Sequence, residues 1–168
     1  KSLYAGYGSD EYTSQRQIFE SEYNQDCGCH NCSRRFKQDI EDFLKPHIKE
    51  PLTILDWGGL AGENTPFKGN EIHVYDISDR DPIEGVVHID RPSGKYDLII
   101  CSHVLEHVPY PEQILYEIKK YMGLLYIELP LEDTTKAIDK KYWHEHVNFF
   151  SIDSLYKLFA RCGLSVID

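Results

Sequence analysis

A short apolar run that ends in a cluster of glycines constrains the fold more than any other feature of this sequence. Residues 54–62 are Ile-Leu-Asp-Trp-Gly-Gly-Leu-Ala-Gly, the pattern of a buried strand that enters a glycine-rich turn. Glycine in such a turn lets the backbone approach a ligand closely and leaves N–H groups pointing at it. Twenty residues after Asp56, Asp76 follows the apolar run Ile72–Tyr75, where a carboxylate can accept hydrogen bonds from both hydroxyls of a ribose. The alternative is an ordinary turn and a solvated aspartate, and the combined spacing disfavours it.

Short β-rich runs alternate with helical patterns along the rest of the chain. The predicted strands are Leu52–Leu55, Ile72–Tyr75, Val86–Ile89, Leu98–Cys101 and Leu124–Leu129, and another strand is expected to begin over Leu164–Ile167. The predicted helices run from the cap Ser33 to Pro46, over Pro111–Met122, and from the cap Ser151 to Gly163. Continuous apolar strands are typical of a parallel sheet covered on both faces, so the order predicts an α/β sandwich. Only a few residues separate the second and third strands, which indicates a compact domain or residues missing from the chain.

Composition excludes several classes of function. The net charge is −10, and an acidic surface repels phosphate backbones, so we expect no long nucleic acid as a partner. No apolar run approaches the roughly 20 residues that span a bilayer, and no signal peptide opens the chain, so we expect no membrane association. The five cysteines are then expected to be thiols or metal ligands in a cytoplasmic protein.

The first part of the chain differs from the rest. Residues 1–46 are predicted to form an N-terminal lid or cap segment with a cysteine cluster and a helix, and residues 47–168 the core. Cys27, Cys29 and Cys32 offer soft ligands for Zn²⁺ at close spacing. Structural zinc sites commonly use a second ligand pair farther along the chain, and none is present, so we expect no zinc here. The alternative to a lid is a disordered tail.

Two longer motifs carry a resemblance to a known family. Asp56-x-Gly58-x-x-x-Gly62 resembles the first motif of class I S-adenosylmethionine-dependent methyltransferases, and residues 96–109, Tyr-Asp-Leu-Ile-Ile-Cys-Ser-His-Val-Leu-Glu-His-Val-Pro, resemble their fourth-strand motif. Residues 144–164 resemble the small-molecule and sugar-modifying branch of that family. The resemblance covers about residues 52–168. It implies a Rossmann-like α/β fold, with a mostly parallel sheet and helices on both faces, in a compact or truncated form. Leu60 stands where the family has its middle glycine, so we expect either the cofactor affinity or the local backbone shape to differ there.

The resemblance implies S-adenosylmethionine as the cofactor and assigns its contacts by position. The implied cofactor-binding residues are Asp56, Gly58, Gly59, Gly62, Asp76, Ile77, Asp90, Ser102 and His103. The glycines would line the methionine part, and Asp56 would steady the loop or contact the ammonium group. Asp76 would hold the ribose and Asp90 would lie near the adenine amino group, although Asp90 could instead cap a loop. Ser102 and His103 would form the pocket floor through backbone contacts.

Histidines are the candidates for catalysis. Methyl transfer to a hydroxyl needs a group that takes up a proton, and the pKa of histidine lies near neutrality. His107, His144 and His146 are expected to cluster at the carboxyl ends of the strands. His146 is the preferred base, and the alternative is that it braces a loop together with Asn148. Glu106 and His107, with His144 or His146, could instead bind a divalent metal, as in a small branch of the family, but we expect none.

The leading hypothesis is therefore methyl transfer from S-adenosylmethionine to a small-molecule acceptor. The resemblance favours a hydroxyl of a sugar or of a nucleotide-linked sugar. A nicotinamide-dependent oxidoreductase is a second hypothesis, disfavoured because the chain has no G-x-G-x-x-G motif. A third is a degenerate methyltransferase fold that binds or scaffolds without catalysis. Cofactor binding separates the first two hypotheses, and turnover separates the first from the third.

Overall fold

The computed structural model describes residues 10–18, 30–78, 80–131 and 146–168, and of Asp10, Tyr12, Arg16 and residues 30–36 it describes the backbone only. In chain order the elements are α1 (Asp10–Gln17), α2 (His30–Leu44), a 3-10 turn (Lys45–His47), β1 (Thr53–Trp57), β2 (Glu71–Tyr75), β3 (Val86–His88), β4 (Tyr96–Ser102), α3 (Pro111–Ile118), β5 (Met122–Glu128) and α4 (Ile152–Arg161). The five strands lie where the apolar runs predict them, to within two residues.

The strands form one parallel sheet in the order β3-β2-β1-β4-β5. The chain builds outwards from β1 through β2 to β3, then crosses to the other side of β1 with β4 and β5. This confirms the predicted Rossmann-like α/β fold. No helix crosses between β2 and β3 in the described part of the connecting residues 76–85, yet the two strands pair in parallel over Ile72–Val74. The sheet is therefore compact at this edge, as the short spacing predicts.

Alternate residues of the central strands point to opposite faces of the sheet. On one face Ile54 and Leu98 pack in a buried cluster with Ile40 and Leu44 of α2. On the other face the cluster around Leu55 includes Leu115 and Ile118 of α3, Leu158 of α4 and Cys162 directly after α4. Because residues 54 and 55 are both fully buried, the sheet has helices on both faces.

One predicted helix end and one predicted strand are wrong. The helix predicted over Pro111–Met122 ends at Ile118, because Met122 pairs with Tyr96 as the first residue of β5. The strand predicted over Leu164–Ile167 is not a strand. Gly163 has φ +66° and ends α4 in a left-handed turn, with the Leu164 N–H donating to the Phe159 carbonyl. The apolar run that follows does not join a ladder.

Of the two predicted N-terminal caps, the cap of α4 is confirmed and the cap of α2 is wrong. Ser151 caps α4 as predicted, since its hydroxyl accepts a hydrogen bond from the Ser154 N–H. By contrast, α2 begins at His30, so Ser33 lies inside the helix and the cap predicted there is wrong. None of the helices in the described part of the chain combines the length and apolarity needed to cross a membrane.

Candidate functional site

The strand order places a crevice between the carboxyl ends of β1 and β4. The chain runs from β1 to one side and from β4 to the other, and ligands bind at such reversal points in open parallel sheets. The glycine-rich turn, defined here as residues 58–62, follows β1. Ser102 ends β4, and His103 follows it. The two predicted halves of the cofactor site therefore lie at one edge of the sheet.

Space and backbone conformation both require glycine in the glycine-rich turn. Gly58 and Gly62 have φ values of +81° and +84°, a region that side chains disfavour. A Cβ atom added to Gly58 would lie 2.6 Å from Cγ2 of Val104, which follows β4. A Cβ atom added to Gly59 would lie 2.4 Å from Cγ of Asp56. The turn is thus packed against the β4 side of the crevice and against the side chain of Asp56 in β1.

Leu60 adopts a glycine-like conformation although it has a side chain. Its φ is +53°, in the left-handed region that is costly for a branched apolar residue. Its N–H donates to Oδ2 of Asp76 at 3.0 Å, and its carbonyl oxygen contacts Nε2 of His88. These contacts, one to the N–H and one to the carbonyl group of Leu60, hold the strained conformation. The backbone shape expected of glycine is therefore kept despite the substitution.

Asp76 lies directly after β2, at the end of the apolar run that predicts its position. Its Oδ1 accepts a hydrogen bond from the Ser78 N–H at 2.7 Å, and its Oδ2 accepts the Leu60 N–H. Each carboxylate oxygen can accept two hydrogen bonds, so one acceptor position on each oxygen is left for a ligand hydroxyl. The neighbouring Ile77 is exposed over 58% of its surface and offers an apolar contact beside the carboxylate.

Asp56 is buried beneath the turn. Its Oδ2 accepts a hydrogen bond from the Thr65 hydroxyl at 2.6 Å, and only 6% of its surface is exposed. Burial raises the pKa of Asp56 to about 6, and the charge of Asp76 adds to the rise. The close approach of Gly59 to this carboxyl group indicates that Asp56 supports the turn from within.

Asp90 is exposed, two residues after the end of β3. The preceding Ile89 continues the sheet pairing through its N–H, which donates to the Val74 carbonyl at 2.9 Å. Asp90 therefore lies at the carboxyl edge, on the far side of Asp76 from β1. Its predicted role near an adenine stays a prediction.

The end of β4 is linked to the end of β5 through Glu128. The Ser102 and Tyr126 hydroxyls donate to Oε2 of Glu128 at 3.2 and 3.3 Å, and the His103 N–H donates to the Glu128 carbonyl at 2.8 Å. Sequence analysis missed Tyr126 and Glu128. The available signal was an acidic residue near the end of a predicted apolar strand.

A second cluster of titratable groups lies just beyond β4. Glu106 is fully buried, and its Oε1 lies 3.0 Å from Nδ1 of His103 and 3.9 Å from Nε2 of His107. The ring centroids of His107 and His146 are 4.8 Å apart, with planes at 83°. One ligand atom from each of Glu106, His107 and His146 lies within 4.8 Å of the other two. We call these three residues the Glu-His-His cluster.

Backbone hydrogen bonds hold the two segments of the Glu-His-His cluster together. The Val147 and Asn148 N–H groups donate to the Glu106 carbonyl at 2.8 and 3.1 Å. The Asn148 side-chain amide donates to the carbonyls of Leu105 and Val108. Asn148 thus braces the turn after β4. His144, the third catalytic candidate, lies outside the described residues, as do Cys27 and Cys29; the Cys32 side chain is not described.

Glu106 and His103 shift each other's pKa. Burial raises the pKa of Glu106, but the hydrogen bond from His103 and the nearby imidazoles outweigh burial and lower the pKa below its usual value. The same hydrogen bond raises the pKa of His103 against the effect of burial. The region therefore favours an ionised Glu106 beside a protonated His103.

An apolar groove of about 560 Å³ runs along the outer edge of β5. Its lining includes Phe43 of α2, Tyr126 of β5 and Phe159 of α4. It reaches the carboxyl edge of the sheet at Glu128, Leu129 and Leu131, and its lining includes no residue of the glycine-rich turn or of β4. The groove is therefore separate from the crevice between β1 and β4.

A family model described as a methyltransferase domain matches residues 29–168. Magnesium protoporphyrin IX methyltransferase from Synechocystis PCC 6803, solved with bound SAH, is similar at 15% identity with a TM-score of 0.65, over 97% of this chain and 88% of that one. The plantazolicin methyltransferase BpumL, in complex with a desmethyl analogue and SAH, is similar at 14% identity with a TM-score of 0.62, over 90% and 70%.

A third solved structure is more distant. The N-terminal domain of EvdMO1, in the presence of SAH and D-fucose, is similar at 13% identity with a TM-score of 0.51, over 91% of this chain and 86% of that one. At these identities the likeness concerns the fold. No curated protein matches the sequence.

Proposed function

We propose that this chain, which belongs to the methyltransferase domain family, transfers the methyl group of S-adenosylmethionine to a hydroxyl of a small polar acceptor. Asp76 is the observation that carries the proposal. Its carboxylate is fixed by two backbone N–H groups at the end of β2, beside the glycine-rich turn, and keeps an acceptor position on each oxygen. A ribose with two adjacent hydroxyls fits that arrangement.

The rest of the cofactor would lie across the crevice. The methionine part would contact the glycine-rich turn, where added Cβ atoms would collide with neighbouring side chains. Ser102 and His103 would form the floor, because both lie at the carboxyl end of β4 next to that turn. Ile77 and Asp90 would flank the adenine. The SAH and S-adenosylmethionine bound in similarly folded proteins support the choice of cofactor.

The acceptor would approach from the β4 side, over the Glu-His-His cluster. In the reaction a lone pair of the acceptor oxygen forms the bond to the methyl carbon, while the carbon–sulfur bond breaks and its electron pair stays on sulfur. The products are a methyl ether, S-adenosylhomocysteine and a proton. His146 would take up that proton, with His107 beside it, and alignment with removal of water supplies the remaining acceleration.

A sugar or nucleotide-linked sugar is the acceptor we propose. The presence of D-fucose in the EvdMO1 structure supports it, as does the polar lining that Ser102, Tyr126 and Glu128 give to the end of the sheet. The folds of a porphyrin methyltransferase and a plantazolicin methyltransferase are similar too, so the loops rather than the fold decide the acceptor. The cytoplasmic location and the exclusion of long nucleic acid stay predictions.

Cofactor binding and turnover test the proposal in two steps. Calorimetric titrations of the full chain with S-adenosylmethionine, SAH and NAD are expected to show binding of the first two and none of the third. Incubation with S-adenosylmethionine and a panel of sugars and nucleotide sugars should then yield a methylated product by mass spectrometry. Binding of NAD alone would favour an oxidoreductase. Binding of SAH with no turnover on any acceptor class would favour a non-catalytic protein.

A further inference from the structure

We infer that His88 is a positioning residue for the cofactor site, because it holds Leu60 in the glycine-like conformation that the glycine-rich turn needs. His88 is the last residue of β3, and its Nε2 contacts the carbonyl oxygen of Leu60, 28 positions earlier in the chain. The inference rests on the proposed function, since the shape of the turn matters to the reaction only if the turn binds S-adenosylmethionine.

Leu60 needs restraint from other residues because its own conformation is unfavourable. Its φ of +53° lies in the left-handed region, which glycine adopts readily and a residue with a Cβ atom does not. Asp76 accepts the Leu60 N–H at 3.0 Å, but its carboxylate is also the proposed ribose ligand. His88 restrains the other end of the residue, at the carbonyl group, where the ribose is not expected to bind.

The same face of β3 supports the turn at a second point. Val86 and His88 are two positions apart in this strand, so their side chains point to the same face of the sheet. A Cβ atom added to Gly62 would lie 2.9 Å from Cγ1 of Val86, so the end of the turn lies directly against that side chain. The turn is therefore supported by β3 at both Leu60 and Gly62.

The short connection between β2 and β3 adds a third contact. The Ile83 N–H donates to the Ala61 carbonyl at 3.0 Å, and Ile83 lies three positions before β3. The carbonyl groups of Leu60 and Ala61 are thus both bonded to the compact edge of the sheet. Ile83 donates through its backbone, whereas the contact of His88 depends on the imidazole. His88 is therefore the position at which a side-chain substitution can release the turn.

The imidazole supplies a donor that an apolar strand residue lacks. A carbonyl oxygen can only accept, so Nε2 of His88 carries the proton in this contact. Without that donor Leu60 is free to return to a negative φ, and the fraction of molecules with a binding-competent turn falls. The apparent dissociation constant of the cofactor then rises by the same factor. In Leu60→Gly the turn keeps its shape without the donor, so the requirement for His88 should disappear.

A double-mutant cycle on His88 and Leu60 tests the inference by calorimetric titration of the full chain with SAH. His88→Leu removes the donor and keeps a side chain of similar size, and should weaken SAH binding about tenfold. The same change added to Leu60→Gly should alter SAH affinity by less than about threefold, as expected for coupled positions. His88→Gln, whose amide can donate in place of Nε2, should restore SAH affinity to within about threefold of the parent.

His73→Leu is the matched control. His73 is also a half-buried strand histidine with a hydrogen bond, at 3.0 Å to the Tyr96 hydroxyl, but it contacts the opposite end of the sheet from the turn. Its SAH affinity should equal that of the parent. His88→Val replaces His88→Leu if the latter does not fold by circular dichroism. The inference is overturned if the apolar His88 variant binds SAH as tightly as the parent, or if it loses the same factor in both backgrounds.

Hydrogen exchange without ligand keeps this inference apart from the proposed function. The Leu60 N–H is protected by its hydrogen bond to Asp76, and release of the turn in His88→Leu should speed its exchange at least about tenfold by NMR. A parent protein that does not bind SAH would contradict the proposed function, and the exchange rate would still decide the role of His88. Unchanged exchange of the Leu60 N–H in His88→Leu would overturn the inference.

Discussion

The two sides of the crevice are built in different ways. On the β1 side, residues 56–62 and Asp76 form the candidate cofactor site mainly through backbone groups and the space that glycines leave. On the β4 side, the Glu-His-His cluster consists of side chains from two segments about 40 positions apart in the sequence. The first side is a continuous motif with one additional residue, whereas the second exists only in the folded chain.

This difference predicts different responses to substitution. A site made by backbone shape fails when an atom fills the space that the ligand or its support needs. A site made by side chains fails when a functional group is removed, while the backbone and the other site stay intact. Changes on the β1 side should therefore alter cofactor affinity, and changes at the Glu-His-His cluster should alter turnover.

The largest expected effect is on the β4 side, in His146→Ala. Loss of a positioned group that handles the acceptor proton costs about 10²–10⁴ in rate, so turnover should fall at least a hundredfold while SAH affinity is nearly unchanged. The deficit should shrink for acceptors of lower pKa. His73→Ala is the control, because His73 contacts Glu71 and Tyr96 towards the opposite end of the sheet. Lower thermal stability with full turnover at low temperature would instead make His146 structural.

Gly59→Ala tests the β1 side by adding one methyl group. The new Cβ would lie 2.4 Å from Cγ of Asp56, so the turn must shift, and overpacking of this kind costs about 1–3 kcal/mol. We expect SAH affinity, measured by calorimetry, to fall about tenfold to a hundredfold. At Gly94 an added Cβ meets nothing within 4 Å, and asparagine tolerates its positive φ, so Gly94→Asn should bind SAH normally. Unchanged SAH binding in Gly59→Ala would show that the glycine-rich turn does not contribute to cofactor binding.

Asp76→Ala tests the predicted ribose contact on the same side. Charge-assisted hydrogen bonds contribute about 1.5–3 kcal/mol, so SAH affinity should fall about tenfold to a hundredfold. Asp81→Ala removes an exposed acidic residue from the same loop and controls for the change in charge. Unchanged SAH affinity in a folded Asp76→Ala protein would contradict the assignment.

Asp56→Asn tests whether the turn is supported by a destabilised carboxyl group. The pKa of Asp56 is about 6 in the folded protein and about 3.9 in an unfolded chain. Between these values the folded state holds more protons, so the free energy of unfolding falls as pH rises through this window. The asparagine variant lacks this loss, so its free energy of unfolding near neutral pH should be about 1–3 kcal/mol higher than that of the parent. Urea unfolding at several pH values measures the difference.

Asp97→Asn is a control of opposite sign for that experiment. Hydrogen bonds from the Thr53 N–H and hydroxyl lower the pKa of Asp97. Its contribution is therefore present above the unfolded pKa and is lost as pH falls through the folded one, so its removal should give no gain at neutral pH. A stability difference between Asp56→Asn and the parent that does not vary with pH would exclude the proposed burial effect.

The smallest expected effect is in Leu60→Gly. Relief of the left-handed conformation should raise the free energy of unfolding by about 1–2 kcal/mol. The extra freedom of glycine in the unfolded chain should lower it by about 0.5–1 kcal/mol. The free energy of unfolding should rise by up to about 1.5 kcal/mol in thermal unfolding, and SAH affinity measured by calorimetry should be unchanged. A clear loss of stability would show that packing of the Leu60 side chain outweighs the strain.

The sequence by itself determined the five strands, the two-sided sheet, the glycine-rich turn and the place of Asp76. These features depend on runs of apolar residues and on conformations that only glycine adopts freely, and both are local to a few residues. The Ser151 cap of α4 is predictable for the same reason, since the hydroxyl and its N–H donor are three residues apart.

Tertiary structure decided the rest. The apolar pattern around Met122 is as compatible with a helix as with a strand. Only its pairing with Tyr96 makes Met122 a strand residue. Leu164–Ile167 has the composition of a strand, but it joins no ladder. The meeting of Glu106 with His146, and of Ser102 with Glu128, depends on which strands are neighbours and on the path of the chain between them. Such contacts join residues far apart in sequence, and no local preference of either residue encodes its partner.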